Sequence, residues 1–122
     1  MSEEPLEDEV RNLVLHHIDS VVQLEALLFL RASPDETWEP GAIASRLYAR
    51  ESETAAALAG LCEDGFLQRE GNGYRYVVRP EYQARVDSLA DAYAFRLIPV
   101  TNLIHGKPAH GSSDAFKAGK DR

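Results

Sequence analysis

Cysteine is almost missing from this chain of 122 residues: Cys62 is the only one. No internal disulfide can form, so the fold must hold by packing alone, which fits a reducing cytoplasm better than secretion. Long apolar runs are missing too. No stretch is longer than "ALLFL" at 26–30, far below the ~20 apolar residues of a membrane-crossing helix. The opening "MSEEPLEDEV" has no basic-then-apolar pattern, so no secretory leader is expected. Positive charge is scarce: 13 Lys and Arg stand against 20 Asp and Glu, a net −7. That balance disfavours broad attraction to nucleic acid or anionic lipid. The sequence also lacks a phosphate loop, a nucleophile elbow and any paired-carboxylate pattern, so no catalytic residue is assigned and no enzyme is expected.

Metal and cofactor sites are equally unsupported. His16 and His17 are adjacent and point to different sides of a helix, so they do not chelate one ion. His105 and His110 flank "GKPA" without further ligands at fixed geometry. Cys62 falls on the inward face of a helix, with no His or Lys placed to activate it, and reads as a buried structural thiol.

What is present is helical periodicity. Leu6, Val10, Leu13 and Val14 recur at helical spacing and predict a first helix within residues 5–19, closed by the two histidines. Ser20 is placed to cap a second helix, "VVQLEALLFLRA". That helix is apolar on two faces: Val21, Leu24, Leu27 and Leu28 on one, Val22, Ala26 and Phe29 on the other with Leu30 beside them. The second face calls for a cover, from this chain or another subunit. Pro40 suits the first turn of a third helix, "PGAIASRLYA". Ser52 is the expected cap of a fourth, which buries Thr54, Leu58, Leu61 and Cys62 and ends at Gly65. Strands "FLQR" and "YRYVV" flank "EGNG", a hairpin signal. Trp38 is expected in the core or in a short strand where that sheet closes. From Glu81 a long helix carries the stripe Tyr82, Val86, Leu89, Ala90, Tyr93, Leu97, Val100 and Ile104, kinked at Pro99. The tail from Gly106 is expected to be mobile, with "DAFK" docking weakly.

Helix, helix–turn–helix, hairpin is the order of a winged helix-turn-helix domain. The residues that carry the resemblance are "LEALLFLRA", "WEPGAIASRLYA" and "SETAAALAGLCEDGFLQREGNGYRYV", about half the chain. The whole chain also resembles a group of small bacterial winged-helix proteins, transcription-regulator-like, with a similar "IDS..QLE.LL.LR" opening and an "IH.KP"-like close. The fold class implied is mainly α, with a two-stranded wing and a long C-terminal helix. Segments follow as an acidic tail and helix over 1–19, the winged domain over 20–80, a dimerisation-type helix over 81–105 and a flexible tail over 106–122. Such relatives often regulate transcription as dimers built by their terminal helices, which implies a homodimer here.

The winged-helix resemblance sends the fourth helix into a DNA groove, yet residues 51–64 hold Glu51, Glu53, Glu63 and Asp64 against no base, a net −4. Over 66–79 the balance reverses: Arg69, Arg75 and Arg79 against Glu70 give +2. Arg46 and Arg50 lie just before the fourth helix. A wing-led grip on duplex DNA would therefore use Arg46, Arg50, Ser52, Arg69, Asn72, Arg75 and Arg79. The alternative is a protein-interaction module that binds no DNA and presents the smooth strip Ala56 and Gly60 to a partner helix. A second copy would meet Val22, Phe29, Tyr93, Leu97, Val100 and Ile104.

Overall fold

The computed structural model describes residues 8–95 and 97–106. Eight elements follow one another: α1 (Asp8–His17), α2 (Val21–Ala32), α3 (Pro40–Leu47), α4 (Glu51–Glu63), β1 (Leu67–Glu70), β2 (Gly73–Tyr76), α5 (Pro80–Phe95) and α6 (Leu97–His105). Helix α2 starts where its cap predicts. The Ser20 hydroxyl accepts from the Gln23 amide at 3.0 Å, satisfying one of the amides a helix start leaves bare. Leu24 and Leu27 are buried on one face, Ala26 and Leu30 on the other. Helices α3 and α4 and strand β2 pack on α2, so the chain closes most of the second face itself. Val22 and Phe29 stay half-buried, and the Phe29 ring meets Trp38 edge-on at 4.9 Å.

Pro40 opens α3 as expected. Helix α4 starts differently from its expected cap. Arg50 holds the cap position without a side-chain bond, and Ser52 lies inside the first turn. The Ser52 hydroxyl is therefore exposed and uncommitted to capping. The other end of α4 behaves as glycine dictates. Gly65 takes φ +94°, its amide donates to Cys62 O at 3.2 Å and the Phe66 amide to Leu61 O at 3.0 Å. This pair of bonds defines a Schellman turn, which needs a left-handed residue at its corner. Thr54, Leu58 and Leu61 are buried as read from the sequence, joined by Ala57; Cys62 is half-buried rather than fully buried.

The hairpin is tighter than the sequence pattern implied. Glu70 pairs with Gly73, which leaves only Gly71 and Asn72 as the loop. Gly71 alone takes a positive φ, +60°, the requirement of a two-residue turn with glycine first. Trp38 adds a short third rung: its amide and carbonyl bond Tyr74 at 2.9 and 2.8 Å.

Helix α1 packs on α5 and α6. Val10, Leu13 and Val14 share one core with Leu24, Leu27, Leu58, Phe66, Val86, Leu89, Val100 and Ile104, so the terminal helices and the central helices are built on common ground. Leu97, part of the expected stripe, is 47% exposed. Pro99 lies within α6 and does not stop it. The continuity of the long helix through Arg96, and the docking of "DAFK", fall outside the described residues. Helix, helix–turn–helix and a hairpin wing closed by Trp38: the chain is a winged helix-turn-helix.

Candidate nucleic-acid interface

The acidic face of α4 is less bare than its sequence. The Glu51 carboxylate turns back along α3 and lies 3.3 Å from where a Cβ on Gly41 would stand. It therefore sits against the first turn of α3, which has no acidic residue and no side-chain cap of its own. A carboxylate there complements the positive end of the helix dipole. At the other end, Asp64 Oδ2 meets His17 Nδ1 at 2.9 Å, and the His17 ring leans edge-on against Phe66 and Tyr82 at 5.2 and 5.4 Å. Asp64 thus ties the end of α4 to α1, while Glu51, Glu53 and Glu63 are exposed on α4.

The arginines divide in a similar way. Arg75 is half-buried and bonds Glu70 at 2.8 Å. Glu70 also accepts from the Thr37 hydroxyl at 2.7 Å. The Arg75 hydrogen bond, helped by Thr37, holds the Glu70 carboxyl below its usual range. Glu70 thus joins the wing to the loop before α3, and Arg75 holds it from the neighbouring strand. Arg46 is exposed with its guanidinium over the Trp38 ring at 5.0 Å, a cation–π contact that fixes it beside the wing. Arg69 is exposed, lies over Tyr74 at 5.6 Å and reaches the Gly71 carbonyl at 3.3 Å. Asn72 stands exposed at the tip. Arg50 and Arg79 are exposed, and among the described residues Arg46, Arg50, Arg69 and Arg79 form no ion pair with a carboxylate. The Arg79 side chain passes over Gly65, within 2.5 Å of where a Cβ there would stand, so it rides on the turn that joins α4 to the wing.

The residues expected to meet a partner fare unevenly. Val100 and Ile104 are buried within the chain, because α1 and α6 pack together; they are not available to a second copy. Gly60 is half-buried rather than part of an open strip, since a Cβ there would come 3.1 Å from Gln23 Nε2. Gln23 itself donates to the Ala57 carbonyl at 3.1 Å. Ala56 and Ala59 do stay exposed. Tyr93 is half-buried and donates its hydroxyl to Glu25 at 2.9 Å. Exposed apolar surface lies instead at Phe95, 84% exposed, with Leu97 and Ile98.

Sequence reasoning found the wing arginines by charge balance. It missed the tethering of Asp64, the Glu25–Tyr93 bond and the exposed Tyr48, all set by long-range packing or by an unusual backbone angle. Burial, reinforced by the bond to Glu25 and its charge, pushes the Tyr93 phenol up to about 12. An unfolded tyrosine titrates near ~10. A raised pKa means that this group's contribution to stability is complete below pH ~10 and lost as pH rises through about 12. Burial raises the Tyr76 phenol as well, so we expect Tyr93→Phe to remove one of the late phenolate steps in the ultraviolet titration; an unchanged late amplitude in that variant would mean that Tyr93 is not their source.

Among the described residues no group of His, Cys, Asp and Glu is placed to hold a metal, and no single helix is long and apolar enough to cross a membrane. No protein-family profile matches the chain, and no curated protein matches it. Among solved structures, a MarR-family transcriptional regulator from Silicibacter pomeroyi is similar at 23% identity and a TM-score of 0.50. The match covers 80% of this chain and 62% of that one, so this chain spans about three fifths of that protein's length. At this identity the likeness is one of fold.

Proposed function

We propose that this chain is a non-enzymatic regulator that grips duplex DNA through its wing and the turn before α4. The observation that carries the reading is the sorting of charge. Arg50, Arg69 and Arg79 are exposed without a carboxylate partner among the described residues, while Asp64 and Glu70, two of the acidic groups that would repel phosphate, are engaged within the fold. Arginine and exposed amide side chains such as Asn72 are the groups that contact phosphates and base edges. Glu53 keeps α4 from lying deep in a groove. The wing and the α3–α4 turn carry the contact instead, with Arg46 beside them and Ser52 at the start of α4. The similar MarR-family structure, that of a transcriptional regulator, agrees with this use of the fold.

A second copy completes the reading. Phe95, Leu97 and Ile98 offer apolar surface where α5 gives way to α6, and pairing through the terminal helices would double the phosphate contacts. The protein-docking alternative keeps only Ala56 and Ala59 as its strip on α4, since Gly60 is packed on Gln23.

The test is fluorescence anisotropy of a generic labelled duplex across a salt series. Binding should be present at about 50 mM salt and fade steeply as salt rises, because each phosphate contact releases counterions. No binding at that salt would end the DNA reading and turn attention to α4 as a docking helix.

A further inference from the structure

Two helices of the chain end on a left-handed corner. At the end of α4 the left-handed corner is Gly65, φ +94°. At the end of α3 the corner is Tyr48, φ 57° and ψ 40°, with its own amide and that of Ala49 both donating to Ala44 O. Tyr48 is the only non-glycine among the described residues with a positive φ. A side chain in this region is strained, and glycine is the default there. Strain of this kind persists where something outside local geometry favours the residue. Inside the chain Tyr48 returns little. Its side chain is 96% exposed, and its hydroxyl has no hydrogen-bond partner among the described residues.

Its position supplies the missing reason. Tyr48 sits in the turn between α3 and α4, two residues before Arg50, the cap of α4. In a helix-turn-helix the first helix crosses the DNA backbone and the second points its start at the groove. The turn between them therefore lies beside the phosphates. We propose that Tyr48 is a DNA-contact residue, held in a left-handed turn so that its hydroxyl donates to a backbone phosphate next to Arg50. The proposal rests on the DNA reading above and adds to it a neutral contact. A tyrosine positions the protein on the duplex without reading sequence and without releasing a counterion.

The experiment uses the full chain, the generic duplex and three variants: Tyr48→Gly, Tyr48→Phe and Arg69→Ala. Tyr48→Gly should weaken binding by about tenfold, the scale of a hydrogen bond to a charged group, and Tyr48→Phe should lose most of the same amount. Neither should change the slope of log affinity against log salt, whereas Arg69→Ala should flatten it by about 0.9. Tyr48→Gly should also melt no lower than the parent, since glycine relieves the backbone. Parent-like binding by Tyr48→Gly or Tyr48→Phe while Arg69→Ala is impaired would overturn the role of Tyr48 alone. A lower melting temperature for Tyr48→Gly would overturn the strain argument under it. A parent that binds no duplex at about 50 mM salt would overturn this proposal together with the DNA reading.

Discussion

Phe66→Ala is expected to cost about 3–5 kcal/mol, the range for truncating a buried aromatic ring. Phe66 is fully buried and follows directly on the Gly65 corner. It stacks on Tyr82 with centroids 4.9 Å apart, meets the His17 ring edge-on, and its amide closes the turn at the end of α4. One ring therefore ties α1, the end of α4, the start of the wing and α5. Removing it leaves a cavity that four elements share, and none can close it without moving the others. Small domains commonly have only about 5–15 kcal/mol in hand, so the variant should lose a large part of its urea midpoint. Phe66→Leu keeps most of the volume and should cost under about 1.5 kcal/mol. Equal costs for the two variants would mean that the site collapses freely and that Phe66 is not the junction of the fold. Functionally, loosening this junction releases α4 and Arg79 together, since Arg79 lies over Gly65.

The backbone plan was legible because each element carries its own local signal. Ser20 before an apolar run, Pro40 at a helix start, Gly65 after the last buried turn and a short glycine-bearing turn between β-rich runs each have one physical reading, and the structure follows them. The Ser52 cap failed for a local reason as well: the helix begins at Glu51 and leaves Ser52 inside its first turn. The state of the charges was not legible, because it depends on which distant residues meet. Glu70 reads as loop in the sequence, which hides its bond to Arg75 on the neighbouring strand. Asp64 finds a partner 47 residues away in His17. Nothing in "SRLYARE" announces a left-handed tyrosine, since every local preference there asks for glycine or asparagine. The candidate interface was thus visible as a net balance, +2 beside −4, and its sorting into committed and available groups required the packed chain.

That sorting leads to the sharpest functional expectation. Arg69→Ala combined with Arg79→Ala should weaken duplex binding by about 100-fold at low salt, roughly tenfold for each arginine–phosphate bond removed. It should also lower the magnitude of the salt slope by about 1.8, the sum for two phosphates. Arg75→Ala should change the slope less than either single variant, because Arg75 is spent on Glu70 at 2.8 Å. The contrast matters because the chain as a whole carries −7. At very low ionic strength, where charges act over about 30 Å, the acidic bulk should oppose the wing; near 0.1 M the range falls to about 10 Å and the local arginines should dominate. The parent's salt curve should therefore flatten at its low end, and the double variant should leave only that flat, weak part. If parent and double variant give the same slope, the wing does not touch phosphate. The exposed Glu53, Ala56 and Ala59 of α4 would then be the surface left to explain the fold's use, and a protein would be the partner to seek.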